Sequence, residues 1–396
     1  MQKITDRWPR ALKDTLNLVQ STLNPHRITV EVASPAHEIM RWVLRHRLEG
    51  WLGGAMPKTQ RDRLKPELWS KLKEAHVQNA LRAIALTGEL TQIGNLLNSN
   101  GVPWLTVKGP VLAQQVWGGV THRHSGDLDI VVSPEHARQV DQLLRDNGYE
   151  RTMPDFELTS RQFDSYLNIK YEFGYRSRKH QGRRVEIKWR LDDVDRLDEL
   201  LQHPAHVPIA GRQIPTLPPA DNFRYLCHHG ARHGWFRIFW LLDIARLLKN
   251  SDLKSVSDSL PDDQAHRTKP VIQAMELCAL LFAPPPDFPE PPRNRLSVSP
   301  LFLQKEALRQ MALSNKELDT VGEWWRQLRY RLHLFPGFRG MTDALRPHLQ
   351  SPLNWKTLPL PDRWHGLYPW LSPVLWCLRL WQRRGGRRKN PSIEGH

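Results

Sequence analysis

The sequence predicts an α+β fold: a small mixed β-sheet with flanking helices, joined to helical regions at both ends of the chain. Three observations lead to this prediction. Short apolar segments typical of buried strands alternate with helical segments between residues 99 and 200. Apolar residues follow helical spacing on either side of that stretch, and a proline-rich segment precedes a last helical region. Alternation of strands and helices within one short stretch indicates a sheet covered by helices.

The composition is that of a globular protein with a strongly basic balance. The chain has 396 residues, 40% of them apolar, and a formal net charge of +16. A basic surface attracts polyanions, so nucleoside triphosphates, nucleic acid and acidic lipid headgroups are candidate partners. Cys227, Cys278 and Cys377 match no zinc or redox spacing, and residues 1–20 lack the apolar centre of a signal peptide. A cytoplasmic protein with reduced thiols is expected.

Five regions follow from changes in composition along the chain. The N-terminal helical region covers residues 1–98 and ends at the segment NSNGVP. The sheet-containing core covers residues 99–200, and a helical domain covers 201–283. A proline-rich linker covers 284–294, and a C-terminal helical region with a basic tail covers 295–396. The tail, expected to be a solvated end, contains Arg383, Arg384, Arg387, Arg388 and Lys389.

Each element of the core has its own local signal. Trp104–Val107 is short and apolar, as expected of a buried strand. Gly109-Pro110 then opens a short helix, because proline is favoured at the first helical position. Asp127–Val132 is a second strand, followed by a helix that stops at Gly148. A further strand is predicted over Arg183–Leu191. Weaker signals predict a strand near Tyr166–Tyr175 and a helix over Pro218–Asn250.

The C-terminal region is rich in tryptophan, and its segment Leu367–Trp381 comes closest to a membrane-seeking sequence. It is short for a membrane span and contains two prolines and Arg379. A buried helix is the favoured interpretation. The second is an interfacial segment, with tryptophans at the lipid headgroups and the basic tail behind them, so that residues 364–389 contact a membrane peripherally. The tryptophans predicted to lie in the core are Trp324, Trp325, Trp364, Trp370 and Trp376.

Two aspartates on one strand are the chemically informative feature. Residues two apart on a strand point to the same face, so Asp127 and Asp129 project side by side while Leu128 and Ile130 point into the core. Two such carboxylates repel each other when buried, and a divalent cation resolves the conflict. Mg²⁺, or Mn²⁺ in its place, takes oxygen ligands from carboxylates and substrate phosphates.

A third carboxylate, Glu186, is predicted to complete this metal site. It lies in the later strand, where Val185 and Ile187 face the other way. If that strand pairs beside the first, Asp127, Asp129 and Glu186 meet, and Glu186 helps activate an attacking hydroxyl as a base. An outward-facing acid on an edge strand is the alternative interpretation of Glu186.

The phosphates of a nucleotide need positive charge, and Lys108-Gly109 precedes a helix whose N-terminal N–H groups favour anions. Lys108 adds a point charge, and Arg123 is a second candidate for phosphate contact through a bidentate fork. Gly126, directly before the acids, is assigned to the same nucleotide-binding set. The alternatives are a surface lysine at Lys108 and a structural partner of Asp127 at Arg123.

These residues resemble a known family. The segments that carry the resemblance are Val107-Lys108-Gly109, Arg123, Gly126–Val131, Gly148-Tyr149, Val185–Arg190 and, less closely, Leu226–Leu248. They are similar to the bacterial uncharacterised nucleotidyltransferase family, a branch of the polymerase-β-like nucleotidyltransferase superfamily. The superfamily usually opens the first helix with Gly-Ser or Gly-Gly, where this branch and this chain have Lys108-Gly109. Family members often have a histidine where this chain has Lys188.

The resemblance implies magnesium-dependent transfer of a nucleotidyl group from an NTP such as ATP, with Asp127, Asp129 and Glu186 as metal-binding acids. The acceptor is unspecified: a small molecule, sugar, peptide or protein. Two other functions remain open, an antitoxin-like or nucleic-acid-binding protein on the same fold and a membrane-associated assembly factor. His229 and His233 are spaced as zinc ligands can be, but packing against Asp243 or a substrate is favoured.

Overall fold

The computed structural model describes residues 5–179, 182–248, 265–282, 300–314, 317, 321–335 and 351–387. At its centre is one seven-stranded sheet of mixed direction, which confirms the predicted α+β fold. The strands are β1 (Trp104–Val107), β2 (Asp127–Val132), β3 (Tyr149–Met153), β4 (Glu172–Ser177), β5 (Arg184–Lys188), β6 (Ala205–Ile209) and β7 (Arg212–Thr216). Their spatial order, β3-β4-β5-β2-β1-β7-β6, puts β2 in the middle.

Helices precede, interrupt and follow the sheet. The first group is α1 (Arg10–Leu23), α2 (Ala36–Arg45), α3 (Glu49–Ala55), α4 (Lys58–Arg61) and α5 (Pro66–Ser99). Between strands lie α6 (Gly109–Trp117), α7 (Ala137–Asp146), α8 (Ser160–Ile169) and α9 (Leu197–Gln202). After the sheet come α10 (Pro219–Arg232), α11 (Ile238–Leu247), α12 (Ala265–Phe282), α13 (Pro300–Met311), α14 (Val321–Leu334), α15 (Leu353–Thr357) and α16 (Tyr368–Arg387).

β2 lies between two neighbours of opposite direction. It pairs antiparallel with β1 and parallel with β5, in a register that puts Asp129 beside Val107 on one side and Glu186 on the other. β1 also pairs parallel with β7, while β5–β4, β4–β3 and β6–β7 are antiparallel. Because pairing on both sides holds the register of β2, the face to which each of its side chains points is determined.

The two faces of the sheet differ in character. On β2 and β5, Leu128, Ile130, Val185 and Ile187 belong to one apolar cluster, which α7, α8, α15 and α16 help to cover. Since successive strand residues alternate, the acids of β2 and β5 point to the opposite face. There Val131 joins a second cluster formed with helices from both ends of the chain.

This second cluster joins regions that are far apart in sequence. It contains buried residues of α1, α2, α3 and α5 together with residues of α10 to α14. The indole of Trp8 donates a hydrogen bond to the carbonyl of Leu308, at 3.1 Å. The N-terminal region, the helical domain and two helices of the C-terminal region therefore share one core.

Three local predictions differ from the structure. The strand expected near Tyr166–Tyr175 begins only at Glu172, because α8 occupies the preceding residues and is started by a capping box between Thr159 and Gln162. The helix expected over 218–250 is broken between α10 and α11, where Gly234 and Trp235 have left-handed φ angles of 62° and 55°. The β6–β7 hairpin extends the sheet beyond residue 200. The proline-rich linker lies outside the described residues.

The prediction that the C-terminal tryptophans are buried is wrong. Trp370 is 83% exposed, and Trp325 is 61% exposed. Trp324, Trp364 and Trp376 are also exposed. For Trp370 and Trp376 the reason is that α16 covers the sheet cluster with one side only, burying Tyr368 and Leu375 and leaving its other side uncovered. No helix among the described residues has the length and apolar character needed to cross a membrane.

Candidate active site

The turn between β1 and α6 carries a backbone conformation that few side chains adopt. Lys108, the N-cap of α6, has φ 57° and ψ −144°, and Gly109 follows with φ 49°. A residue other than glycine in this region costs roughly 1–3 kcal/mol, and such strain clusters at functional sites. The chain thus keeps a lysine at a turn that glycine would tolerate better, and the ammonium group lies at the N-terminal end of a nine-residue helix.

The strand register brings two of the three predicted acids side by side. Asp129 and Glu186 are directly paired positions of β2 and β5, and adjacent strands lie only ~4.8 Å apart. Asp129 is 2% exposed. Asp127 lies two residues earlier on the same face and is half-buried at the start of β2. All three acids line one cavity of about 300 Å³.

Two lysines neutralise this acid group. The Lys108 ammonium lies 3.1 Å from Asp129 Oδ2, and the Lys188 ammonium lies 3.2 Å from Asp129 Oδ1 and 2.7 Å from Glu186 Oε2. Lys188 also contacts Glu172, so its ammonium bridges three carboxylates. Burial acts to raise the pKa of Asp129, but the two lysines hold it well below its usual range. Burial acts to lower the pKa of Lys188, but the negative charges of Asp129, Glu172 and Glu186 raise it well above its usual value.

Glu186 has the opposite electrostatic balance. Burial, and then the negative charge of Asp129, raise its pKa to about 7. A carboxylate with a pKa near neutrality can accept a proton from a substrate and release it again, as a general base must. The surroundings therefore lower the pKa of Asp129 and raise that of Glu186. Such a difference is typical of sites in which one acid stays ionised and its neighbour exchanges a proton.

The three acids offer carboxylate oxygens, the donor type that hard divalent cations prefer. Asp129 Oδ1 is buried and receives no hydrogen bond, although Lys188 lies beside it. Within the described part of the chain, no three His, Cys, Asp or Glu side chains are arranged as a metal centre. Mg²⁺ does not require such a cage, since one or two carboxylates together with substrate phosphates and water commonly hold it.

Arg123 lies in the loop before β2 and lines the cavity, but its side chain is paired with an acid of α11. Its Nε donates to both carboxylate oxygens of Asp243, at 2.9 and 3.1 Å, and Trp117 donates to the same carboxylate at 2.9 Å. Both charged groups are almost fully buried. The Nε of the guanidinium is thus taken by α11, and its Nη1 donates to the carbonyl of His124 at 3.2 Å. The geometry favours a positioning role for Arg123, which ties the loop before β2 to the helical domain.

Other helices hold the same loop from the opposite side. Asn79 of α5 donates to the backbone carbonyls of Thr121 and Arg123 at 2.8 and 3.3 Å. The His124 imidazole contacts the carboxylate of Glu49 at 2.5 Å. Gly126, next in the loop, lines the cavity, where a Cβ atom would meet nothing closer than 3.6 Å. The entry to β2 is therefore anchored by residues from the N-terminal helices.

The cavity has a second wall of arginines and aromatic rings that the sequence did not indicate. Arg237 has a buried Nε without a hydrogen-bond partner, and its guanidinium lies over Phe236 at 5.1 Å. Arg47 lies over Phe239 at 5.9 Å, and its charge interacts with Asp127. Arg237 could have been identified from the sequence, because it is the single charged residue within the apolar stretch 235–242. Arg47 has no such signal, because it reaches the cavity from a different region of the chain.

His229 and His233 also line this wall. Their rings lie 4.7 Å apart and both pack on Trp240. Desolvation, and then the charge of Lys108, lower the pKa values of both rings, although the His233 side chain is exposed. The carboxylate of Asp243, one of the two expected partners, accepts hydrogen bonds from Arg123 and Trp117. The two histidine rings therefore form part of the cavity lining.

The comparison with protein families decides the class. The family model described as uncharacterised nucleotidyltransferase matches residues 33–283. The chain belongs to this nucleotidyltransferase family. The matched residues include the whole sheet and both walls of the cavity, from the segment before α2 to the end of α12. Comparison with curated proteins gives no match. In this nucleotidyltransferase, α13 to α16 lie outside the matched part.

Proposed function

We propose that this nucleotidyltransferase transfers an NMP group from an NTP such as ATP to a hydroxyl- or phosphate-bearing acceptor, with Mg²⁺ or Mn²⁺ as cofactor. One observation carries the proposal: Asp129 and Glu186 are paired across neighbouring strands in a cavity that Arg47 and Arg237 also line. Carboxylates for a cation and positively charged groups for the polyphosphate in one cavity are what this reaction requires.

Asp127 and Asp129 would hold the cation, with Glu186 beside them. When bound, Mg²⁺ neutralises charge on the phosphates and orients them for in-line displacement. Residues of the chain itself would bind the polyphosphate. Lys108 and the free N–H groups at the start of α6 attract the polyphosphate. Arg237 and Arg47 also line the cavity, and a phosphate can accept two hydrogen bonds from the nitrogens of one guanidinium group.

In the proposed transfer, Glu186 acts as the base that takes the proton of the acceptor. The acceptor oxygen attacks the α-phosphorus and forms the new P–O bond while its proton passes to Glu186. The bond between the α-phosphorus and the bridging oxygen breaks, and pyrophosphate leaves with that oxygen. An acceptor phosphate carries no proton on the attacking oxygen and would need no base. The pKa of about 7 for Glu186 suits proton transfer from a hydroxyl near neutral pH.

A labelling experiment tests the proposal. The purified chain is incubated with cell extract, Mg²⁺ and ATP, GTP, CTP or UTP labelled at the α-phosphate, with γ-labelled ATP in parallel. We expect label from the α-position to appear in a product, to depend on Mg²⁺ or Mn²⁺, and to be absent with the γ-label. Transfer of γ-label alone would indicate a kinase and refute the proposal. Salt-sensitive polynucleotide binding without transfer would favour the nucleic-acid-binding alternative.

Replacing Lys188 should separate its structural role from cation binding. Lys188→Met removes the ammonium from between Asp129, Glu186 and Glu172 and leaves buried carboxylates uncompensated. We expect the metal-free protein to lose ~3 kcal/mol of unfolding free energy, as buried pairs do when one partner is removed. Added Mg²⁺ should then raise the melting temperature of the variant more than that of the wild type, because the cation takes over the neutralising charge.

The matched control is Lys356→Met, which breaks the exposed pair with Asp155. Exposed pairs contribute little, so its stability and its response to Mg²⁺ should equal those of the wild type. An equal Mg²⁺-induced shift in the Lys188 variant and the wild type would show that Asp129 and Glu186, the proposed ligands paired with Lys188, do not form the cation site. Differential scanning fluorimetry with and without Mg²⁺ makes both measurements.

A further inference from the structure

The exposed side of α16 carries no charge over three turns. The exposed residues between 367 and 378 are Leu367, Pro369, Trp370, Pro373, Val374, Trp376, Cys377 and Leu378. Trp364, in the turn just before the helix, is exposed as well. A helix facing water normally places charged residues on this side. An uninterrupted apolar surface with exposed tryptophans marks a site of contact.

The helix is held firmly from behind, so the apolar side has a defined orientation. Asn354 donates to the Ser372 hydroxyl at 2.5 Å, and the Tyr368 hydroxyl donates to the Leu358 carbonyl at 2.8 Å. The turn before the helix is joined to the core by a hydrogen bond from Thr159 to Asp362 at 2.6 Å. Tyr368 and Leu375 pack into the cluster on the sheet face opposite to the acids. The exposed side of α16 therefore points away from the active-site cavity.

The sequence that follows the apolar side is strongly basic. Arg383, Arg384, Arg387, Arg388 and Lys389 lie within seven residues, in a chain of net charge +16. Apolar residues with tryptophan, flanked by a basic cluster, are the composition of helices that lie in the interface of an anionic bilayer. A second copy of this chain is a less suitable occupant, because it would bring another +16 charge to the same surface.

We propose that α16 docks the protein on an anionic membrane surface, with Trp370, Val374 and Leu378 buried among the lipid headgroups, while the positive charge of the basic sequence that follows attracts acidic lipids. The helix lies along the surface and does not cross it. Indole rings favour this zone because one edge is apolar and the N–H can bond to headgroups. Docking by the side opposite to the cavity leaves the active site open toward the solvent, so membrane binding and nucleotidyl transfer are independent.

Vesicle sedimentation with the full-length protein tests this docking. Vesicles of phosphatidylcholine with about 30% phosphatidylglycerol are compared with pure phosphatidylcholine, since only the former attract basic clusters. We expect wild-type binding to the anionic vesicles and its release in about 0.5 M salt. The double variant Trp370→Ser/Val374→Ser should bind at least about tenfold more weakly, because its buried apolar area is reduced. Its melting temperature should be unchanged, since both residues are exposed.

The matched control is Trp325→Ser, which removes an exposed tryptophan from α14 and should leave vesicle binding intact. Three outcomes would overturn the proposal: wild-type protein that stays in the supernatant with anionic vesicles, binding that is equal in the double variant and the wild type, or equal binding to both kinds of vesicle. Light scattering of the same samples tests the alternative occupant of this surface, a second copy of the chain. A dimer that dissociates in the double variant and ignores vesicles would assign the surface to a second copy.

Discussion

Asp127→Asn should abolish nucleotidyl transfer while leaving the fold intact. Asp127 is half-buried, and the lysine pairs that stabilise the acid group involve Asp129 and not Asp127. The amide keeps the size of the carboxylate but removes the negative charge that would hold a cation on the substrate phosphates. We expect a loss of at least about 100-fold in rate, the size seen when one preorganised electrostatic group is removed from an active site.

The comparison with two other acids sharpens this test. Asp129→Asn should lose activity as well, but it should also destabilise the protein, because Lys108 and Lys188 then share less negative charge in a buried site. Asp192→Asn is the matched control: it lines the same cavity but is paired with Arg232. Its transfer rate should change little. Label transfer and melting temperature are measured for all three variants. Wild-type activity in Asp127→Asn would place the reaction elsewhere.

Arg123→Met should destabilise the protein strongly. The substitution leaves the buried carboxylate of Asp243 with only the Trp117 hydrogen bond, and it removes the guanidinium that stacks over Phe239 at 4.9 Å. Breaking a buried ion pair from one side costs about 3–5 kcal/mol, because the remaining charge is uncompensated. Arg123→Met/Asp243→Asn should recover part of this loss, since the second change removes that charge. Urea unfolding of the single and double variants measures both effects.

The same variant separates a positioning role from direct phosphate contact. If Arg123 bound the nucleotide, as its place before the acids suggested, Arg123→Met would weaken NTP binding without lowering the unfolding free energy. Arg138→Met is the control, because it breaks an exposed pair with Asp164 and should cost less than about 1 kcal/mol. Full stability of Arg123→Met together with lost nucleotide affinity would overturn the positioning role.

Short-range features of the site could be predicted because the backbone sets them. Alternation along a strand placed Asp127 and Asp129 on one face before any tertiary contact was known. The glycine and proline after β1 indicated where α6 begins. Glu186 was assigned from its strand pattern, but its meeting with Asp129 required the strand order and the register, which depend on how distant segments pack.

The less accurate predictions concern side chains whose surroundings come from elsewhere in the chain. Arg123 was expected at a phosphate and does line the cavity, but its pairing with Asp243 of α11, 120 residues away in sequence, had no local signal. The tryptophans of α16 were expected in the core, because composition indicates that a helix is apolar without indicating which side is covered. Arg47 and Arg237 were missed, since the wall they form exists only after the N-terminal helices and α10–α11 assemble around the sheet.

The sequence by itself determined the α+β class, the strand that carries the aspartates and the common face to which they point. These depend on periodicity and turn residues, which act over a few bonds. Tertiary structure alone decided that Lys188 bridges three carboxylates, that Arg123 is tied to Asp243, and that one side of α16 remains uncovered. Each of these depends on which distant groups come within a few ångströms, and burial then makes the charges at those contacts strong.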